Sequence, residues 1–182
     1  MSSVADTSKT AAEAGEFKIV NVPEPLKEVI ERCGIEGTYV GANDVESPWV
    51  PFGENAAIRY LAFDVRNNWV GNILWVKSPG VVSTHKHRGQ VLMLCLEGSF
   101  RYLEYDWVAY PGAFIHEMPG EAHTLVTDDP NGVKLFGWMQ GANEFYDEEG
   151  KLIDTVDVWW FLDHYESYCE EKGIPVNKQL YI

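Results

Sequence analysis

Short runs of β-branched and aromatic residues alternate with turn residues from Ala57 onward. The runs predict strands at Ala57–Asp64, Val70–Lys77, Gly80–His87, Val91–Leu96, Ser99–Leu103, Asp106–Tyr110, Ala113–Glu117, His123–Thr127 and Val133–Gly141. Turns punctuate them at Ser78-Pro79-Gly80, Glu97-Gly98, Pro111-Gly112, Pro119-Gly120 and Asp129-Pro130-Asn131-Gly132. Many short strands with closely spaced turns predict an all-β sandwich or barrel. The two ends read differently. Leu26, Val29 and Ile30 fall at helical spacing in Pro23–Cys33, a short amphipathic helix closed by Gly34. In Asp157–Lys172, Val158, Phe161, Leu162, Tyr165 and Cys169 form one stripe, with Asp157 as N-cap and Gly173 and Pro175 as stop signals. The Pro- and Gly-rich segment at 47–53, SPWVPFG, reads as a loop. Residues 1–16 read as a flexible tail, ahead of a single domain over 17–182 with its barrel core at about 49–145.

Composition narrows the partners. Of 182 residues, 46% are hydrophobic, which is enough for a core. Fourteen basic residues face twenty-eight acidic ones, a net charge of −14 that opposes binding to nucleic acid or anionic lipid. No apolar run approaches the roughly 18 residues of a membrane span, and the first residues do not read as a secretory signal. Three scattered cysteines, Cys33, Cys95 and Cys169, suit reduced buried thiols, so a cytoplasmic location is expected.

The chemistry concentrates in two segments. In GVVSTHKHRG (80–89), strand alternation sends His85 and His87 to one face and Lys86 to the other. Their Cα atoms would lie roughly 6.5–7 Å apart, close enough for both imidazoles to reach one ion. Taken alone, the pair is equally a strand with two surface histidines. In PGEAHTLV (119–126), His123 follows a tight turn and offers a third imidazole from another strand. Three protein ligands leave coordination positions open, as catalytic metal sites require. Three histidines suit zinc, and imidazole ligands also suit nickel and copper, whereas non-haem Fe(II) more often has two histidines and one carboxylate.

Other side chains are weighed against plain structural roles. Glu117 sits on the strand leading into Pro119-Gly120. Facing inward, it would bond a ligand histidine or act as a general base. Facing the barrel mouth, it would bond backbone amides. His116, its neighbour, must then point the opposite way. Gln90 reads as a turn residue or a weak polar site residue. Glu97, Glu104 and Asp106 read as surface carboxylates, and His164 as solvated or at an interface. Tyr102, Trp75, Trp138 and Phe136 read as core residues that could also wall a pocket, and Cys95 as inert core.

The HxH pair, the Gly turn at Glu97-Gly98, and the block containing Gly112, Pro119-Gly120 and His123 resemble the two motifs of the cupin superfamily. WVPFGENAAIRYLAFDVRNNWV (49–70), RYLEYDWVAYPGAF (101–114) and PGEAHTLV further resemble the 2,4'-dihydroxyacetophenone dioxygenase family of small cupins. The resemblance implies a jelly-roll-like β-barrel with the C-terminal helix packed outside. It also implies a non-haem Fe(II) site built from His85, His87 and His123. The general cupin pattern places five residues between its first Gly and HxH, and a metal-binding Glu soon after. Here four residues separate Gly80 from His85, and Arg88–Leu92 holds no carboxylate.

The implied activity is oxidative C–C cleavage of a small aryl 2-hydroxy ketone to a carboxylic acid and formate, with O2 as co-substrate. Glu117 is the candidate base, and zinc or nickel are the other candidate ions. The competing readings are a β-diketone-cleaving dioxygenase, a non-catalytic metal-binding sensor, and a zinc or nickel isomerase or lyase. Trp159-Trp160-Phe161 offers more apolar surface than one side of a helix buries. A homodimer or homotetramer is therefore expected, and sedimentation at low micromolar concentration should give a multiple of the single-chain mass.

Overall fold

The computed structural model describes residues 24–33 and 37–182. The expected tail at 1–16 lies outside the described residues. Helix α1, Glu24–Cys33, carries Glu24 in its first turn and Arg32 in its last, charges that suit the helix dipole. It belongs to a unit, Met1–Gly37, separate from Thr38–Ile182, which holds both sheets.

Eleven strands follow: β1 (Trp49–Phe52), β2 (Ala56–Asp64), β3 (Trp69–Val76), β4 (Gly80–His87), β5 (Val91–Gly98), β6 (Arg101–Tyr102), β7 (Phe114–Glu117), β8 (Ala122–Thr127), β9 (Val133–Gln140), β10 (Asn143–Tyr146) and β11 (Leu152–Val156). Helix α2, Val158–Lys172, comes next. One sheet has the order β1-β2-β3-β9-β5-β7 and the other β11-β10-β4-β8-β6. All strand pairs within them are antiparallel. The two sheets stack as a jelly-roll sandwich, the architecture the motifs implied. Ile58, Val70, Val91, Cys95, Leu125 and Leu135 fill the space between them. The sheet ends pack tightly: a Cβ on Gly132 would meet the Val76 carbonyl oxygen at 1.9 Å.

The structure corrects several expectations. SPWVPFG is not all loop, because Trp49–Phe52 forms β1. Its Pro51 is tolerated because β1 is a sheet edge, where a missing N–H breaks no ladder. Asp106–Tyr110 makes only an isolated bridge from Ala109 to Phe100. That segment turns instead so that Trp107 packs on Phe100 and Tyr102. Strand β6 is correspondingly shorter than Ser99–Leu103. Strands β10 and β11 were not anticipated. Glu144 disguises β10 as surface, yet it is buried, with Lys86 Nζ at 2.6 Å from the neighbouring strand β4 and Arg88 Nε at 2.7 Å from just beyond it. Trp75, Phe136 and Trp138 lie half-buried and pair across the β3–β9 ladder with residues that alternate away from the core.

Helix α2 has the anticipated N-cap: Asp157 accepts hydrogen bonds from the amides of Trp159 and Trp160. Gly173 ends it in the left-handed conformation, at φ 65°. Val158, Phe161, Tyr165 and Cys169 are buried, Leu162 and Trp160 partly so, and Trp159 is 54% exposed. His164, read as solvated or at an interface, instead bonds within the chain. Its Nε2–H donates to the Pro51 carbonyl (3.0 Å), so Nδ1 accepts from the Tyr60 hydroxyl (2.8 Å). Trp160 stacks on the ring at 5.0 Å. This neutral imidazole ties the helix to β1 and β2, and burial lowers its pKa below the ordinary value. The unfolded chain therefore takes up this proton first. Stability is full above about pH 6.5 and falls as pH drops through that value. Thermal melts between pH 7.5 and 5.5 should fall more steeply for the wild type than for His164→Gln.

Candidate metal centre

Antiparallel pairing of β4 with β8 sets His85 directly opposite His123. Alternation along β4 puts His87 on the same face. A register shift between Val81 and Ser83 adds a residue to β4, so Val82 and Ser83 both reach the same cavity. All three histidines are buried, His123 to 0% exposure. One ring nitrogen from each lies within 4.8 Å of the other two. His85 Nε2 and His123 Nε2 are 3.1 Å apart. Two nitrogens each about 2.1 Å from one ion, at about 90–110° from each other, would be roughly 3.0–3.4 Å apart.

The surroundings set the state of each ring. Ser83 Oγ lies 3.1 Å from His85 Nδ1 and occupies that nitrogen, while Nε2 faces His123. Burial, together with the other two imidazoles, pushes His85 down to about 3, so this ring is neutral near pH 7. Burial also lowers His123. Tyr102 stacks on His123 with centroids 3.9 Å apart and planes within 9°. Glu104 accepts from the amide (2.8 Å) and hydroxyl (2.9 Å) of Thr124, pinning the residue after His123.

Glu117 enters from the other sheet, on β7. It is 1% exposed. Its Oε2 lies 2.9 Å from His87 Nε2 and its Oε1 3.8 Å from His123 Nε2. Tyr102 donates its hydroxyl proton to Oε1. Burial opposes ionisation of Glu117, but the contacts with His87, His123 and Tyr102 outweigh it and hold its pKa below the usual value. The 2.9 Å approach to His87 lacks hydrogen-bond alignment: His87 Nδ1, His87 Nε2 and Glu117 Oε2 all lack a partner, as does His123 Nδ1. Buried polar atoms are costly when unpartnered. Four of them gathered around three convergent imidazoles fit a site that holds a cation.

His85 and His87 also line a cavity of about 90 Å³ between the sheets. Leu74, Val91, Met93, Leu135 and Met139 form its apolar wall, and Asn72, Ser83 and Asn143 are its other polar residues. An outer cleft beside Glu54 and Asn55 shares Phe52, Val82, Ser83 and Phe145 with it.

The expected residues separate cleanly. His85, His87, His123 and Glu117 come together. His116 points outward, at 3.2 Å from Gln90, and Glu97 is exposed and paired with Lys134 at 2.8 Å. Tyr102 backs the histidines and does not line the cavity. Trp75, Phe136 and Trp138 do not line it either. Sequence reading missed Ser83, Asn72 and Asn143. Counting back by twos from His87 leads to Ser83. Asn72 interrupts the core positions Val70, Leu74 and Val76. Asn143 lies on a strand the sequence did not reveal.

No protein-family model matches the chain, and no curated protein does. Solved structures do. An RmlC-like cupin protein from Ralstonia eutropha JMP134 aligns with a TM-score of 0.72 and 24% identity, covering 78% of this chain and 94% of that one. The acetylacetone dioxygenase of Acinetobacter johnsonii aligns with a TM-score of 0.62 and 18% identity, over 73% of this chain and 93% of that one. A putative acetylacetone dioxygenase from Methylibium petroleiphilum PM1 gives 0.61 and 15%, over 72% and 95%. At these identities the likeness establishes the fold, which is that of a cupin.

Purified without a histidine tag, the protein should carry about one metal ion per chain by elemental analysis. His87→Ala and His123→Ala should each lose it, whereas His116→Ala, on the outer face of the same sheet as Glu117, should keep it.

Proposed function

We propose that the chain is an Fe(II)-dependent dioxygenase that cleaves the C–C bond between two oxygenated carbons of a small ketone. His85, His87 and His123 are the proposed ligands. One observation carries the reading: three buried imidazoles converge, with two of them in the wall of an apolar cavity. Iron is preferred over zinc or nickel because the motifs resemble the 2,4'-dihydroxyacetophenone dioxygenases and because acetylacetone dioxygenases share the fold.

Bound iron would supply a Lewis acid for the substrate oxygens and a redox partner for O2. The protein's own contribution follows from the residues. Three neutral ligands leave the site electropositive, which favours a substrate bound as an enolate or alkoxide. Ser83 Oγ steadies His85 through Nδ1, and Tyr102 packs flat on His123. Glu117 is not on the cavity wall; it touches His87, His123 and Tyr102. That placement suits a positioning residue that holds His87 and offsets the cation's charge. The apolar wall excludes water from the reacting atoms.

The proposed substrate is an aryl 2-hydroxy ketone, giving a carboxylic acid and formate. A second reading, cleavage of a β-diketone such as acetylacetone, is favoured by the cavity. At about 90 Å³ it is well below the roughly 300–1,000 Å³ of pockets for drug-sized ligands. The half-buried tryptophans Trp69, Trp75 and Trp138 and the exposed Phe114, all on strands of the same six-stranded sheet, support assembly into a homodimer or homotetramer.

An oxygen electrode tests the reading. Iron-loaded protein should consume one O2 per 2,4'-dihydroxyacetophenone and release formate. Uptake with diketones only would assign the second substrate class. No uptake with either would favour a metal-binding sensor or a zinc or nickel enzyme. Glu117→Gln should lower turnover about 10–100-fold, the range typical of groups that support metal ligands, with a smaller effect on metal content.

A further inference from the structure

Asn143 is a polar group at the cavity that the proposed reaction leaves without a role. It is 9% exposed, and its Oδ1 has no hydrogen-bond partner. It lines the cavity together with His85 and His87. Strand β10 pairs with β4 so that Asn143 stands directly opposite His87. Paired residues of an antiparallel ladder project to the same face, with Cβ atoms about 4.5–5.5 Å apart. The amide therefore sits beside one of the imidazoles at the level where substrate oxygens would gather. From the opposite sheet, Asn72 also reaches the cavity, with its Oδ1 over Gly137.

A buried carboxamide is a poor choice for stability alone. An apolar residue of the same shape would fill the space without stranding an acceptor. Asn143 Oδ1 finds no partner among the residues that line the cavity, so the amide needs a polar counterpart from elsewhere. A ligand that is hydrocarbon throughout supplies none. A ketone with an adjacent hydroxyl or second carbonyl does, and a carboxamide can present either its oxygen or its N–H2 to it.

We propose that Asn143 is a substrate-binding residue, its carboxamide hydrogen-bonding an oxygen of the bound ketone beside His87. The inference rests on the ketone-cleaving reading and deepens it. It makes the substrate a small oxygenated ketone whose recognition includes a side-chain hydrogen bond as well as the cation.

The test is anaerobic calorimetric titration of Fe(II)-loaded protein with 2,4'-dihydroxyacetophenone and with acetylacetone, beside thermal melts and metal analysis. Asn143→Leu removes the amide at nearly constant volume, and Asn143→Ala is a smaller replacement in case leucine does not fit. Both variants should bind the wild type's preferred ketone about tenfold more weakly, with full metal content. Asn143→Leu should melt no lower than the wild type. Equal affinity in wild type and both variants overturns the role of Asn143 and leaves the dioxygenase reading in place. Loss of metal or a marked drop in melting temperature in both variants also overturns it, by making Asn143 a structural residue. A wild type that binds neither ketone, while carrying its metal, takes down the substrate reading and this inference together.

Discussion

The site depends on the register of β4 against β8. Hydrogen bonding in that ladder places His85 across from His123, and alternation along β4 adds His87. A slip of one residue would turn His85 and His87 to the outer face and bring Lys86 inside. The hydrophobic pattern resists that slip, because Leu125 must stay in the core beside Val91 and Leu135. The core thus holds the histidines in position, although none of them contributes much to it.

Burial then decides their chemistry. Shut away from water and faced by two other imidazoles, His85 resists protonation, and burial lowers His123 as well. Glu117 is the counterweight, a single carboxylate brought in from the opposite sheet and held by Tyr102. The outer surface repeats the lesson in simpler form. Glu144 can be buried on β10 because Lys86 and Arg88 come to it.

Much of this was legible in the sequence. Local signals sufficed where they act locally: the HxH alternation, the Pro119-Gly120 turn before His123, and the Asp157 cap with its Gly173 stop. The opposition of Glu117 and His116 on a strand also followed from alternation alone. What stayed hidden depends on contacts distant in sequence. Strand β10 is polar in composition and becomes a strand only against β4. Trp107 is pulled out of a strand by the aromatic rings of Phe100 and Tyr102. His164 looked like a surface residue of a helix, and it became an internal strut because Tyr60 and Pro51 present a donor and an acceptor at matching positions. The extra residue in β4 left no mark in composition either, although it brings Val82 to the cavity.

The cavity's construction has a consequence for how such a protein can change. One sheet carries the histidines, and the other supplies most of the apolar wall through Leu74, Val91, Met93, Leu135 and Met139. The holding function and the shaping function therefore reside in different parts of the chain. Exchanging leucine for methionine or valine on the wall would redraw the space offered to a ligand while leaving the imidazoles untouched. Such a layout separates two kinds of inheritance: reactivity can be kept through long divergence while selectivity drifts, residue by residue, on the facing layer.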